Sequence, residues 1–254
     1  MSEWLVIQLA APLASFGELA GVNRRGGVDR PGKGALLGLV GAALGLRRTD
    51  DDGQRALAEG YAVATRAWKP GRVLQDYHTF QSVKSNAREP FSTRADALRR
   101  GAPVTSISVR EYRMDVLFDA AYRAKAGARW SLAALRDALE RPAFTLSLGR
   151  KACPLAAPLA PVILGGESAR AAFDAADATW DAKARTALFA DRQQRRARPL
   201  FIAEEEADAQ GRHATEGRIE RRYDQPLDRR AWHFAQRAER VTALNETDPE
   251  DDDG

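Results

Sequence analysis

Trp4-Leu-Val-Ile-Gln-Leu9, a glycine- and arginine-rich segment from Ala14 to Gly34, and Ala35-Leu-Leu-Gly-Leu-Val-Gly-Ala-Ala-Leu-Gly-Leu46 follow one another at the start of the chain, and their order decides the fold class. The first run is rich in β-formers, is closed by Pro12 and reads as a central strand. The last is apolar on nearly every face, with Pro31 before it and Arg47 and Arg48 after it. It reads as a buried helix whose glycines allow close packing against a sheet. Between them Gly17, Gly21, Gly26, Gly27, Gly32 and Gly34 alternate with Arg24, Arg25 and Arg30, the composition of a long, flexible, basic loop.

Working outward, Tyr61 to Trp68 alternates as a strand does, and Val73 to Thr79 is placed to pair with it as a hairpin across Lys69-Pro70-Gly71. Phe80 to Pro103 is polar, basic and without period, which marks a functional insertion. It has too few large apolar side chains to order itself and is expected to be mobile in the free protein. Val104 to Phe118 resumes β character. Ser131 caps a helix running to Arg141, with Leu132, Leu135 and Leu139 on one face and Pro142 as its stop. Phe144 to Leu148 reads as a strand leading into Gly149-Arg150-Lys151, and Ala152 to Gly166 as an extended surface crossing. Ser168 to Phe189 reads as a helix, Pro199 to Ala203 and Trp232 to Val241 as late strands, and Glu204 to Asp228 as charges without period. This order describes an α+β domain of the split βαβ type with a basic insertion and a less readable carboxyl part.

Composition excludes several classes. With 254 residues, 44% apolar and 29% charged, the chain is an ordinary globular protein able to bury a sizeable core. Cys153 is the single cysteine and His78, His213 and His233 are the only histidines, so neither an intrachain disulfide nor a Cys-rich zinc site can form, and the compartment is expected to be reducing. The longest apolar run, Gly34 to Leu46, falls short of the ~17 residues a bilayer span needs. Glu3 and Pro12 make the amino end read as a mature terminus, and cytoplasmic residence with no membrane contact is expected.

Net charge is +4, but the last ten residues hold six acids and no base, so the remainder carries 39 minus 29, or +10. Of its 39 basic residues six are Lys and 33 are Arg. Such a body suits a polyanion, since guanidinium holds phosphate with a planar fork and stacks on bases; a GC-rich genome would leave the same bias. Residues 245–254 read as an acidic, disordered tail.

Gly27-Val-Asp-Arg-Pro-Gly-Lys-Gly34 approaches the phosphate-loop pattern, but Gly34 stands where a hydroxyl should ligate magnesium and no strand enters directly. What remains is a helix start with free N–H groups and Lys33, which would favour an RNA phosphate. Tyr77 and His78 with Lys84 or Lys151 could form a metal-free ribonuclease site, or Asp76 to Thr79 could simply close a strand. Glu204, Glu205, Glu206, His213 and His233 read as solvated and Cys153 as a packing group; no metal and no cofactor are expected.

Five motifs then combine. They are Leu9-Ala-Ala-Pro-Leu-Ala-Ser-Phe-Gly17, the stretch from Arg30 through Gly45, Asp76-Tyr-His-Thr79, Arg110-Glu-Tyr112 and Leu148-Gly-Arg-Lys-Ala-Cys-Pro154. In this order they resemble the CasD family of the RAMP superfamily, the subunit that caps the 5′ handle of CRISPR RNA in type I-E Cascade. Phe16 stands where the family usually has Trp, and Gly32-Lys33-Gly34 where it has Thr-Lys-Ser. The resemblance implies a ferredoxin-like, RNA-recognition-type palm in one domain over 1–244, with a basic thumb hairpin inserted at about 80–103 and a carboxyl part over about 152–244. It implies a non-catalytic, RNA-binding antiviral subunit that holds the handle, nucleates the backbone subunits and meets the large subunit, touching target DNA only indirectly. Phosphate contacts are expected from Arg24, Arg25, Lys33, Lys84, Arg110, Arg150 and Lys151, and base or sugar contacts from Tyr77, His78 and Tyr112. The type I-C relative cuts repeat RNA, so a metal-independent endoribonuclease using Tyr77, His78, Lys84 and Lys151 is the alternative.

Overall fold

The computed structural model describes residues 2–17, 24–83, 91–101, 103–180, 199–205 and 217–244. Lys84, Arg88, Glu206, His213, the second half of the helix expected to reach Phe189, and the acidic tail lie outside the described residues, and Arg24 is described in its backbone only.

The palm is built from β1 (Ser2–Ala14), α1 (Lys33–Ala43), β3 (Tyr61–Lys69), β5 (Pro103–Ala124), α4 (Leu132–Glu140) and β6 (Val162–Gly166). Its strands lie in the order β6-β1-β5-β3, every neighbour antiparallel. That is the split βαβ arrangement expected from the sequence. One strand was misplaced, however. Phe144 to Leu148 makes only an isolated bridge, Ser147 to Pro154, and the edge strand is β6, inside the stretch read as a surface crossing. Trp4, Leu5 and Val6 on β1 supply its partners, Leu164, Ile163 and Val162.

The sheet is covered on both faces. Leu5, Ile7 and Leu9 of β1 and Phe118 and Tyr122 of β5 pack under α1, α4 and α2 (Asp51–Gly60). This second helix was not foreseen; Asp50 caps it by accepting from Gly53 N at 2.9 Å. On the other face Trp4, Val6, Ala64 and Ala121 pack against α5 (Ala169–Thr179), which also meets a buried charge. Arg66 lies 2.8 Å from Asp119 and 2.6 Å from Asp177, with its guanidinium over the rings of Trp68 and Phe173. A buried cation is tolerated only where its donors are met this fully.

β4 (Arg72–Val83) does not pair with β3. Both run antiparallel to the 22-residue β5, β3 along its second half and β4 along its first. The expected hairpin across Lys69-Pro70-Gly71 is therefore one long arm with a bend. Gly71 (φ 77°) takes the left-handed conformation there, and a Cβ on it would strike the Met114 carbonyl. Opposite it Asp115 also has positive φ and pairs with Lys69 at 2.9 Å. Beyond the bend Arg72–Val83 and Pro103–Met114 form a thumb longer than the 80–103 insertion expected. Its distal part is not patternless either. Thr93 caps α3 (Arg94–Arg100) by accepting from Asp96 N at 3.1 Å, and Arg94 donates to the Gln81 carbonyl.

Past β3 the sheet continues through β7 (Phe201–Glu205), β9 (His233–Ala243) and β8 (Arg218–Asp228), and β8 comes back to lie against α1 and α2. β8 falls in the segment read as charges without period. Its alternation is inverted: Ile219, Tyr223 and Leu227 face outward, whereas Arg222 and its neighbours Glu220 and Asp224 point into ion pairs. Buried Arg30 joins Glu220 and, at 2.8 Å, Glu239; Arg237 joins Asp224 and Glu239, both at 2.6 Å. The like-charged cross-strand pairs Arg222–Arg237 and Glu220–Glu239 are stable because these counter-charges stand between them.

Candidate nucleic-acid interface

The thumb register sorts its side chains. Leu74, Asp76, His78 and Phe80 share one face with Tyr112, Arg110, Ser108 and Ser106; Val73, Gln75 and Tyr77 share the other with Arg113, Glu111 and Val109. Tyr77 is 63% exposed, and His78 stacks on Phe80 with ring centroids 6.3 Å apart. Tyr77 and His78 thus point to opposite sides. Tyr112 lies four residues from the Ser108 partner of His78, about 13 Å along the strand at the usual rise.

At the thumb base two loops close on β5. β2 (Arg24–Arg25) runs parallel to Val109 and Arg110, and Gly27 N donates to Glu111 Oε2 at 2.9 Å. From the other side, the turn after Leu148 is fixed because Ser15 N donates to the Leu148 carbonyl at 2.9 Å and Leu148 N to that of Cys153 at 2.8 Å. Gly149 (φ 91°) faces the Ser15 carbonyl so closely that a Cβ would collide with it. The turn delivers Arg150, whose Cζ lies 4.5 Å from the Tyr112 ring centroid while Nη1 donates to the Glu111 carbonyl. Cys153 beneath is buried, and burial pushes its thiol pKa up. Of the residues expected to contact RNA, the fold gathers Arg25, Arg110, Tyr112 and Arg150 here, with Lys151 exposed beside them.

Lys33 is a correction. Its side chain is 1% exposed and its Nζ lies 3.0 Å from both Glu205 oxygens, so the ammonium is withdrawn from solvent. Burial lowers its pKa against the opposing charge of Glu205. Glu205, read as solvated, also accepts from Lys125 at 3.2 Å, while burial raises the pKa of Glu204. Nor is the start of α1 left free for a phosphate: Asp224 Oδ2 accepts from Lys33 N at 2.7 Å. Gly32 permits this approach, since a Cβ there would overlap the carboxylate. Arg30, read as part of a flexible basic loop, is likewise locked inside.

Of the residues named for a ribonuclease, Tyr77 and His78 face apart and Lys151 lies by the thumb base, while Lys84 is outside the described residues. Among the described residues no group of three or more His, Cys, Asp or Glu side chains is placed to hold a metal. No helix among them is long and apolar enough to cross a membrane.

A cleft of about 370 Å³ adjoins the thumb base through Phe16. Gly34, Gly38 and Ala42 of α1 form its floor, Thr145, Ser147 and Gly149 one wall, and Tyr223, Arg229, Trp232 and Phe234 of the β8–β9 hairpin the other. The glycines of α1 thus do not only pack on the sheet; at Gly34 and Gly38 a Cβ would crowd Phe234 and Arg229. These hairpin residues were not picked out from the sequence. The signal present was Arg229-Arg-Ala-Trp-His-Phe234, aromatic rings interleaved with bases in a charged stretch.

Comparison with known proteins covers the same span. The family model for CRISPR-associated protein (Cas_Cas5) matches residues 4–240. The CRISPR system Cascade subunit CasD of Escherichia coli (strain K12) is 31% identical over 167 residues, 63% of this chain and 70% of that protein. A solved structure described as a CRISPR RNA-guided surveillance complex has a chain that superposes with TM-score 0.58 at 20% identity, over 94% of this chain and 89% of that one. A Cas protein crystal structure superposes with TM-score 0.54 at 24% identity, over 95% and 94%. Both superpositions extend over the carboxyl part, where the sequence resemblance was weakest.

Proposed function

Because the chain belongs to the Cas5 family of CRISPR-associated proteins, we propose that it is the CasD-type subunit of a Cascade surveillance complex, holding the 5′ handle of CRISPR RNA and nucleating the backbone subunits. The observation that supports this most is the thumb base, where Tyr112 stacked on Arg150 stands beside Arg110 and Arg25. An aromatic face flanked by guanidinium groups is how single-stranded RNA is usually held, by stacking and by phosphate contacts. The thumb also leaves Val73 and Leu74 near its base and Phe80, Val104 and Ile107 farther out, large apolar groups, exposed as a surface for the first backbone subunit. Residues 1–244 act as one unit in this reading, because β7, β9 and β8 extend the palm sheet. In this reading the subunit binds without cleaving, and it is supported by Tyr77 and His78, two of the residues cleavage would use, pointing to opposite faces of the thumb.

Co-expression with the other Cascade subunits, followed by sequencing of copurified RNA, tests the proposal. CRISPR RNA is expected in the assembled complex, and Tyr112→Ala with Arg150→Ala should deplete it. An assembled complex without CRISPR RNA would overturn the reading. Repeat RNA incubated with the purified protein in EDTA is expected to stay intact; one cut at the base of the repeat hairpin, lost in His78→Ala, would establish the nuclease instead.

A further inference from the structure

The turn between β8 and β9 holds a group that no part of the thumb reading uses. Trp232 is 55% exposed and sits at positive φ (57°), a conformation that bulky residues avoid unless the surroundings impose it. Asp228 imposes it in part, its Oδ1 accepting from Ala231 N at 2.9 Å. Two guanidinium groups converge on the indole: Arg48 with Cζ 4.8 Å from the ring centroid and Arg229 with Cζ 5.5 Å. Arg229 also lies 5.9 Å from the Phe234 ring, which is itself 6.1 Å from Trp232.

What these two cations lack is informative. Arg48 donates to the Arg230 carbonyl and Arg229 to that of Gly34, and among the described residues neither forms an ion pair with a carboxylate. Elsewhere in this protein buried or half-buried bases such as Arg30, Lys33, Arg66 and Arg237 are each met by an acid. Burial, and then the charge of Arg48, lowers the pKa of Arg229, the signature of a cation crowded by a like charge and short of a counter-ion. A half-exposed aromatic ring with two such cations against it, at the mouth of the cleft, fits a ligand with a flat base and an adjoining phosphate.

We infer that Trp232, Arg48 and Arg229 form a second RNA site, in which one unpaired base stacks on the indole and its phosphate bridges the two guanidinium groups. The cleft behind, at the lower end of the ~300–1,000 Å³ typical of small-ligand sites, accepts a base turned off the strand. The inference rests on the RNA-binding reading above and extends it to the carboxyl hairpin. Phosphate alone gives no reason for an indole here, and an apolar partner gives none for two cations with no carboxylate partner among the described residues.

The test uses the full chain with an eight-nucleotide single-stranded RNA, read by fluorescence anisotropy, and by unfolding to verify that each variant is folded. Trp232→Ala should weaken binding by ~5- to 150-fold, the range that stacking of one base on an aromatic spans, whereas Trp232→Phe should stay near the parent. Arg48→Ala, at an exposed position, should lower the salt slope by ~0.7. Equal binding by Trp232→Ala and the parent, with Tyr112→Ala and Arg150→Ala weakened, would overturn this inference and leave the thumb reading intact. Failure of the parent itself to bind any RNA, alone or in assembled Cascade, would remove the thumb reading too. A Trp232→Leu variant that binds like Trp232→Phe would also refute the inference, because leucine keeps apolar contact but offers no ring.

Discussion

Removing Asp224 should cost this protein a large share of its stability. The carboxylate accepts from Lys33 N at 2.7 Å, so it caps α1 from another strand, and it accepts twice from Arg237, at 2.6 and 2.9 Å. Arg237 is buried and one of its nitrogens, Nη1, already has no partner among the described residues. In Asp224→Ala that guanidinium would keep only Glu239. Leaving a buried charge half-compensated costs about 3–5 kcal/mol, and a lost helix cap about 1 kcal/mol. A loss of about 4 kcal/mol stands against a total that is typically about 5–15 kcal/mol. Urea unfolding at neutral pH measures it; with an m-value of about 3 kcal/mol per molar or more the midpoint should fall by about 1 M. Asp224→Asn should recover only the cap, because a neutral amide can still accept from Lys33 N but cannot balance Arg237. Arg237→Met added to Asp224→Ala should restore about 2 kcal/mol or more, since the stranded charge is then gone. A cost below about 1 kcal/mol for Asp224→Ala, with the two substitutions additive, would refute the claim that this pair fastens the hairpin to α1.

Other outcomes follow from single residues. Burial holds the Glu204 carboxyl above its usual range, against Arg240 and Arg123. A carboxyl raised in the folded state costs stability above its folded pKa and nothing below its unfolded value, so Glu204→Gln should raise Tm at neutral pH and leave it unchanged below about pH 4; a Tm gain that persists in acid would contradict this. Gly149→Ala, at φ 91° against the Ser15 carbonyl, should cost more than about 1 kcal/mol in thermal denaturation and weaken RNA binding by releasing Arg150; unchanged Tm would show that the turn is not fixed. Lys33→Ala should lower stability and leave the salt slope of RNA binding alone, whereas Arg150→Ala should reduce that slope by ~0.7; a lowered slope for Lys33→Ala at unchanged stability would return Lys33 to the interface.

The palm was legible in the sequence because its elements carry their reasons locally. The β-rich Trp4–Leu9 run, the apolar face of α1 and the Ser131 cap with Leu132, Leu135 and Leu139 all survive in the structure. What failed were readings that needed a distant partner. Val162–Gly166 has no polar alternation and joins the sheet only because Trp4 and its neighbours offer a free edge. Gly71 and Lys69-Pro70 resembled a two-strand turn because a bend in one long arm and a tight hairpin use the same residues. Tyr112 and Arg150 are 38 positions apart, and nothing local says that the Gly149 turn will lay one on the other.

The charges were the harder case, because a positive excess read from composition does not say which basic residues reach the surface. β8 looks like a solvated loop because hydropathy periods assume that charges face water, yet Glu220, Arg222 and Asp224 face inward and Ile219, Tyr223 and Leu227 outward. Lys33 and Arg30 were read as phosphate binders or loop charges for the same reason, although Glu205, Glu220 and Glu239 hold them inside. Each of these buried bases is matched by an acid, so burying them takes little from the positive excess of +10 on the body without its acidic end. Among the described residues, outward groups that carry this excess include Arg25 and Lys151 at the thumb base and Arg48 beside Trp232. A polyanion is drawn to cations without a counter-charge, and among the described residues Arg48 and Arg229 are two such cations, set against the exposed ring of Trp232.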